Sequence, residues 1–248
     1  MDLSVLIGMI GAVMSISIGD ILEGGNPLHI IHLSSIIIVI PTAMFSAATA
    51  TEITALKAAF SEFKMIFLKS PVDFDKRIED IMRYAIIVKK DGVLAIEQEV
   101  LAIDDRFFKE AMSMVVDGTK EEQIEEFLEP IIEETDHYYH GASHYWLLAG
   151  ENCPVIGLIG AVLGLILALQ KLDNPAEMAA GIAGAFTATV TGIAGAYMFL
   201  GPWGNKMKAK ARFLIKDKLI ILEGAKGIAR GESPGILEMK LKNMITIM

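Results

Sequence analysis

Four long stretches of this chain contain no aspartate, glutamate, lysine or arginine, and they constrain its fold more than any other feature. They are Leu3–Gly19, Gly24–Thr51, Asn152–Gln170 and Met178–Asn205, with 17, 28, 19 and 28 residues. A charged side chain at the centre of a bilayer costs at least about 2.5–3.5 kcal/mol, and about 20 helical residues cross the hydrocarbon. A soluble chain of 248 residues could not cover four such helices. The runs therefore predict an all-α, polytopic membrane protein with four transmembrane helices.

The composition agrees with a membrane protein and excludes other classes. Hydrophobic residues make up 53% of the chain, charged residues make up 21%, and the formal net charge is −9. An acidic chain is a poor ligand for phosphates, so nucleic acid is excluded as a partner. The single cysteine, Cys153, excludes an internal disulfide and a multi-cysteine metal site. No basic residue precedes the first apolar run, so we expect a retained helix and not a cleaved signal peptide.

The charge-free runs form two pairs, each joined by a short turn. Gly24 and Pro27 are turn residues between the first two runs, while Asn174 can cap the fourth helix and Pro175 can open it. Residues 51–150 carry 21 acidic and 11 basic residues. We expect a transmembrane hairpin at residues 1–50, a cytoplasmic helical domain at 51–150, a second transmembrane hairpin at 151–205 and a basic cytoplasmic tail at 206–248.

Basic residues close to the runs predict the orientation in the membrane. Lys206, Lys208 and Lys210 follow the fourth run, and Lys57 and Lys64 follow the second. Such residues are concentrated on the cytoplasmic side of membrane helices. We therefore expect both termini and the acidic insert inside the cell, and the two short turns outside.

The acidic insert has the apolar periodicity of helices. The segment Phe74–Lys90 repeats apolar residues three and four apart and is followed by Gly92. Because the pattern continues over Val93–Asp117, we expect a second helix there. Thr119 and Glu122 have the spacing of a capping box, which predicts the start of a long acidic helix leading to the third run.

Small residues recur in the last two runs at intervals that allow helices to approach closely. The principal ones are Gly157, Gly160, Ala161, Gly164 and Ala168 in the third run, and Gly184, Ala188, Gly192 and Ala196 in the fourth. Because these residues cover more than one helix face, we favour subunit contacts, or the wall of a central passage, over packing within one subunit.

Three threonines lie in the middle of the fourth run. Thr187 and Thr191 share one helix face, whereas Thr189 points about 160° away from both. A hydroxyl in a membrane helix can line a passage, or it can simply bond a carbonyl of the preceding turn. The sequence leaves both alternatives open for each threonine.

The strongest functional inference from the residues alone comes from the lack of acidic side chains in the predicted membrane helices. No charge-free run supplies a carboxylate, and the only imidazoles within these runs, His29 and His32, lie at the outer edge of the second run. If protons cross the membrane beside this chain, another polypeptide must supply the carboxylate that carries them.

Over essentially its full length the chain resembles the MotA stator subunits of bacterial flagellar motors, within the wider MotA/TolQ/ExbB family. The resemblance is carried by SISIGDILEGGNPLHIIHLSSIIIVIPTA, KKDGVLAIE, ENCPVIGLIGAVLGLILAL, LDNPAEMAAGIAGAFTATVTGIAGAY and GPWGNKMK. This family has two membrane spans, a cytoplasmic insert, two more spans and a basic tail, which is the arrangement that the charges predict.

The resemblance implies a stator subunit that converts ion-motive force into rotor torque at the bacterial inner membrane. It implies a homopentamer around a dimer of a MotB-type partner, whose single span carries the ion-binding aspartate. It also implies that the insert contacts the rotor switch protein FliG, while lipid surrounds the spans. The chain is then not an enzyme, and we expect no cofactor and no metal, only a translocated ion.

The resemblance also assigns roles to individual residues. Pro154 and Pro202 match the two family prolines at the cytoplasmic ends of the last spans, where they couple conformational changes. Thr189 matches a hydroxyl of the ion path, on which we also place Thr187 and Thr191. Ala161 stands where sodium-using relatives tend to carry threonine, which favours protons.

Charged residues of the insert match the rotor contact of the family. Lys89, with Lys90 beside it, and Glu97 correspond to the basic and acidic positions, on either side of Gly92. The family has arginine where Lys89 stands, so the charge is kept while the fork geometry of a guanidinium is lost.

Two alternatives remain. An ExbB/TolQ-type energiser of an outer-membrane transport or integrity system shares the last two spans, but that branch typically has three spans and the first hairpin favours the motor. A scaffold or sensor with four spans would need no partner acid. His140 and His144 are four residues apart, but the neighbouring Tyr145 and Trp146 favour a membrane-proximal aromatic belt over a metal site.

Overall fold

The computed structural model describes residues 2–27, 32–69 and 72–246, and over these residues the chain is helical without a strand. The helices are α1 (Leu3–Leu22), α2 (Leu33–Thr49), α3 (Ile53–Ser61), α4 (Phe74–Asp91), α5 (Glu97–Leu101), α6 (Arg106–Val116), α7 (Glu121–Leu169), α8 (Pro175–Ala194), α9 (Gly201–Ala229) and α10 (Pro234–Thr246). Short 3-10 helices occupy Phe63–Ile66 and Val93–Ile96, and a π-helix occupies Gly195–Leu200. The all-α class is confirmed. His29 lies outside the described residues.

The chain divides into two compact units. The first contains residues 1–69 and 138–210, and the second contains residues 70–137 and 211–248. Helices α7 and α9 each contribute residues to both units. The boundaries expected at residues 50, 150 and 205 concern the membrane surface and stay a prediction.

Helix α1 contains the whole first charge-free run and continues to Leu22. Asp2 caps it, because its carboxylate accepts a hydrogen bond from the Ser4 N–H at 3.3 Å. The chain leaves the helix at Gly24, whose φ of +83° suits glycine. No side chain of α1 is buried within the subunit. Most of its large apolar side chains are exposed in this chain by itself.

The second run forms a shorter helix than its length allows. Helix α2 begins at Leu33 and has 17 residues. After α1, Asp20 lies over Gly25, where an added Cβ would clash with the Asp20 carboxylate. Asp20 is thus half-buried in the turn.

The predicted start of the fourth membrane helix is confirmed. The Asn174 side chain accepts a hydrogen bond from the Glu177 N–H at 3.3 Å, and Pro175 is the first residue of α8. The N-terminus of α8 could therefore be predicted from two neighbouring residues, a capping carboxamide and a proline.

The insert is helical, but it is divided differently from the prediction. Helix α4 agrees: Asp73 caps it, and Gly92, with φ of +86°, ends it. One continuous helix over Val93–Asp117 is wrong, since a 3-10 helix, α5 and α6 occupy this stretch. The Asp105 carboxylate accepts a hydrogen bond from the Phe108 N–H at 3.1 Å, so it starts a new helix where the apolar pattern alone showed continuity.

The long acidic helix exists, but the capping box does not start it. Helix α7 begins at Glu121. The carbonyl of Lys120 accepts hydrogen bonds from the N–H groups of Gln123 and Ile124 at 3.0 and 3.1 Å. Lys120 therefore takes the cap position, and Thr119 lies one residue too early for the predicted role.

The second unit has a hydrophobic core from α4, α6, α7, α9 and α10, with a cluster of three charged side chains at its edge. The Arg77 guanidinium donates to both carboxylate oxygens of Asp217 at 2.9 Å and to Asp105 at 2.6 Å. Asp217 is buried. Removing one partner of such a buried pair leaves an unpaired charge and destabilises the fold. The cluster therefore links α4 to α6 and α9.

The first unit is held by packed aromatic rings. Trp146 lies between Phe63 and Trp203, with ring centroids at 5.0 and 5.7 Å. Its indole N–H donates to the carbonyl of Ala59 at 3.2 Å. Tyr145 and Trp146 are 2% and 3% exposed, so both rings pack inside this unit. Their membrane-proximal position stays a prediction.

Three of the described helical segments are long and apolar enough to cross a bilayer. They are Leu3–Leu22, the end of Glu121–Leu169 and the beginning of Pro175–Ala229. Helix α2, with 17 residues, is shorter but also apolar. Several long apolar helices are therefore present.

Candidate functional site

The end of α7 and helix α8 pack backbone to backbone through small residues. A Cβ at Gly192 would lie 2.6 Å from the carbonyl oxygen of Cys153, and one at Gly164 would lie 2.9 Å from the Ala185 Cβ. The predicted close approach therefore exists, but for these residues it lies within one subunit. The preference for subunit contacts is wrong for this face of the two helices. Ala161 lies beside it and is half-buried.

The three threonines of α8 have different surroundings. The Thr187 hydroxyl donates to the Gly184 carbonyl at 2.8 Å, and the Thr191 hydroxyl donates to the Thr187 carbonyl at 2.7 Å. Within the described residues the Thr189 hydroxyl makes no hydrogen bond, and this side chain is half-buried. Of the three, Thr189 is the one whose hydroxyl the subunit itself does not use.

Pro202 follows a π-helix. The N–H of Gly201 bonds to the carbonyl of Ala196, five residues earlier, over the segment Gly195–Leu200. Proline has no N–H, and its ring crowds the carbonyl four residues before it, so a wider turn ahead of Pro202 relieves this crowding. The resemblance gave Pro202 a coupling role, but the sequence did not indicate this π-helix.

Pro154 and Pro202 lie beside the same helix contact. Gly150 precedes Pro154 by one turn of α7, and Gly201 directly precedes Pro202. A Cβ at Gly150 would lie 3.0 Å from the Gly201 nitrogen, so the two backbones touch there. Because Pro154 cannot donate to the Gly150 carbonyl, the helical bonding of α7 is interrupted at this level. Helix α7 nevertheless continues through Pro154.

An ion-pair cluster at the start of α1 was not predicted. The Asp2 carboxylate pairs with the ammonium groups of Lys206 at 2.8 Å and Lys210 at 3.2 Å. The hydrogen bonds from Lys206 and from Ser4 hold the pKa of Asp2 well below its usual range. Asp2 links α1 to α9.

Lys210 is a buried cation at this cluster, 3% exposed. Its ammonium donates to the carbonyls of Met65 at 2.8 Å and Ile66 at 3.1 Å, and also to the carbonyl of Leu68. These carbonyls lie at the end of a 3-10 helix, where backbone acceptors are left without partners. Lys210 thus contributes to the fold as well as to the basic tail.

The three charged residues matched to the rotor contact are all exposed. Lys89 and Lys90 lie in the last turn of α4, and Glu97 lies in the first turn of α5 beyond the Gly92 break. Lys89 also donates to the Gly231 carbonyl at 2.9 Å. The turn therefore presents a basic and an acidic group to solvent, with Lys89 partly held by the loop between α9 and α10.

The described residues contain no group of three or more metal-ligating side chains. The rings of His140 and His144 stack with centroids 6.1 Å apart. Parallel stacking favours packing on one helix face over convergence of the two nitrogens on a common ion. The arrangement offers hydroxyls, small residues and surface charges, which suit a passage wall and a docking surface better than bond-making chemistry.

Comparison with known proteins agrees with this description. Residues 99–218 match the MotA/TolQ/ExbB proton channel family. The chain is 55% identical to motility protein A of Helicobacter pylori over 245 residues, which cover 99% of this chain and 95% of that protein. It is 30% identical to motility protein A of Bacillus subtilis, covering 97% of this chain and 90% of that protein.

Solved structures show the same fold. The chain superposes on a chain of the C. jejuni MotAB structure with a TM-score of 0.95 and 53% identity, over 98% of this chain and 96% of that one. For the flagellar MotAB stator complex from Bacillus subtilis the TM-score is 0.87 and the identity 29%, over 96% and 94%. The chain therefore belongs to the MotA/TolQ/ExbB proton channel family, on the branch of the motility A proteins.

Proposed function

We propose that this chain is the stator subunit of a bacterial flagellar motor. With a MotB-type partner it forms an ion-conducting complex that converts ion-motive force into rotor torque. The observation that carries the proposal is the match to motility protein A over 99% of this chain, together with two MotAB structures of the same fold. Membership of a proton channel family also agrees with a role that is not enzymatic.

The chain crosses the bacterial inner membrane four times in this proposal. Helix α1, with 20 residues, spans about 30 Å at 1.5 Å per residue, while the 17 residues of α2 reach about 26 Å, close to the thickness of the hydrocarbon. The charge-free end of α7 and helix α8 supply the other two crossings. Lys208, which is exposed after the fourth crossing, supports cytoplasmic termini by the positive-inside rule.

The partner supplies the acid that this chain lacks. No charge-free run has a carboxylate, so a MotB-type aspartate in a single span is needed between copies of this subunit. We place five copies around two copies of the partner, with Thr189 and Ala161 on the wall that the aspartate meets. Ala161 in place of a hydroxyl favours protons as the translocated ion.

Loading and unloading of this aspartate drives the motion. Burial without a counter-charge raises a carboxylate's pKa, so that both its neutral and its charged form are reached at ordinary pH. One elementary charge gains about 2.3 kcal/mol per 100 mV of membrane potential. Protonation changes how the aspartate rests against α7 and α8, and the ring of subunits steps around the partner. Pro154 and Pro202, beside one helix contact, pass this change to the cytoplasmic residues.

The insert transmits the step to the rotor. Lys89, Lys90 and Glu97 are exposed at one turn, where they meet complementary charges of the rotor switch protein FliG. Exposed charges act mainly on the rate and the register of such encounters. This suits a contact that must form and break at every step.

An ExbB/TolQ-type energiser is the alternative within the same family. The full-length matches to motility A proteins favour the motor. Deletion of the gene distinguishes the two proposals. The stator proposal predicts cells that build normal filaments but do not swim, with swimming restored by the wild-type gene. An uptake or envelope defect in cells that swim normally would favour the energiser.

A further inference from the structure

Helices α2 and α8 are joined by a buried pair of hydroxyl groups. The Ser35 Oγ lies 3.2 Å from the Thr187 Oγ1 and 3.4 Å from the Gly184 carbonyl oxygen. Ser35 is 2% exposed. These two side chains are 152 residues apart in sequence, so neither the apolar run nor the helix period could have indicated the contact.

The direction of the hydrogen bonds follows from the number of donors. Thr187 gives its one hydroxyl hydrogen to the Gly184 carbonyl at 2.8 Å. It can then only accept from Ser35. The Thr187 Oγ1 at 3.2 Å is the nearest of three acceptors around the Ser35 hydroxyl, and the Gly184 carbonyl oxygen and the His32 Nδ1 each lie at 3.4 Å. A polar pair between membrane helices has no water to replace it, and its loss leaves buried groups without partners. The pair therefore favours one orientation of α8 against α2.

This orientation fixes where Thr189 points. Two residues along a helix rotate the side chain by about 200°, so Thr189 lies on the side of α8 opposite to the face that meets Ser35. The small residues Ala188 and Gly192 meet α7 on a third side. Thr189 is thus turned away from α2 while its hydroxyl stays free of the subunit's own hydrogen bonds, within the described residues.

We infer that Ser35 is a positioning residue of the ion path, which holds α8, through Thr187, in the rotation that presents Thr189 to the passage. The inference rests on the proposed function for the role of Thr189. The rotation of α8 does not depend on the proposed function and can be measured separately.

The experiment measures the rate at which a small thiol reagent modifies a cysteine at position 189. The complete complex, expressed with its partner, carries Thr189→Cys with the native Cys153 changed to Ala, and methanethiosulfonate ethylammonium is applied to cells. In this background Ser35→Ala and Thr187→Val remove one hydroxyl each. Thr187→Ser keeps the hydroxyl and should keep the original rate.

A matched control lies beside the pair. Ser34 is exposed and bonds only to the His32 Nδ1 at 2.7 Å. Ser34→Ala should therefore leave the modification rate within the scatter of the parent. Membrane levels of every variant are measured by immunoblot, so that loss of protein is not read as altered rotation.

The expected result is a change of about threefold or more in the modification rate for Ser35→Ala and for Thr187→Val. A threefold change corresponds to about 0.6 kcal/mol, the average free energy of a hydrogen bond between membrane helices. The double variant should change no more than either single variant, because one hydrogen bond is lost in all three. Parent-like rates in both single variants, or effects that multiply in the double variant, would overturn the inference. A rate change together with normal swimming of Thr189→Val would support the positioning by Ser35 while removing Thr189 from the proposed ion path.

Discussion

Replacing Gly192 with alanine should separate the two helices that form the proposed passage wall. A new Cβ would lie 2.6 Å from the Cys153 carbonyl oxygen and 3.1 Å from the Gly157 Cα, whereas ordinary contacts begin at about 3.4 Å. Both neighbours belong to the backbone of α7, so no side chain can turn aside. Overpacking of this kind costs about 1–3 kcal/mol. We expect a lower unfolding temperature of the purified complex and loss of swimming.

Gly8→Ala is the matched control for this change. Gly8 lies in an apolar membrane helix of similar length, but a Cβ added there would have no atom of the described residues within 4 Å. Alanine is a better helix former than glycine by about 1 kcal/mol, so the control alone should be neutral or slightly stabilising. Thermal unfolding in detergent, followed by loss of the soluble complex, compares the two variants directly. Equal unfolding temperatures would refute the close packing of α7 and α8.

Three further predictions concern the other sites. Pro154→Ala or Thr189→Val should abolish swimming while the complex still reaches the membrane in normal amounts; normal motility of both variants would remove these residues from the mechanism. Asp2→Asn should lower the unfolding temperature at neutral pH. Because the folded pKa of Asp2 is depressed, the difference from wild type should persist at pH values above its ordinary pKa of 3.8 and shrink as the pH falls below it, and a difference that grows on acidification would contradict the pairing with Lys206. Lys89→Glu should reduce swimming without reducing ion conduction, and equal losses of both would argue against a rotor contact.

Local sequence predicted the elements whose ends depend on neighbouring residues. The cap at Asn174 and the glycine at Gly92 are examples, since a side chain and a backbone conformation within one turn decide them. The apolar period of Val93–Asp117 led to the wrong prediction of one continuous helix. An amphipathic pattern persists across a bend when the same face of the chain stays buried on both sides of it. Asp105 was the signal that could have revealed the new helix start there.

The contacts that build the site could not be predicted in the same way. Ser35 meets Thr187, and Lys210 meets carbonyls near Met65, across long stretches of chain. Helical periodicity indicates which face a residue occupies but not which helix it meets. The small-residue stripe showed this limit most clearly: the spacing of Gly192 predicted close approach correctly, while its partner was α7 of the same subunit and not a neighbouring copy.

The central claim is that this chain forms a passage wall without an acid of its own, so that the ion-carrying carboxylate comes from the partner. Proton flux driven by an imposed potential into liposomes tests it directly. The account predicts flux for the complex, and none for this chain alone or for the complex whose partner aspartate is changed to asparagine. Flux through this chain alone, or undiminished flux after removal of the partner's carboxylate, would contradict it.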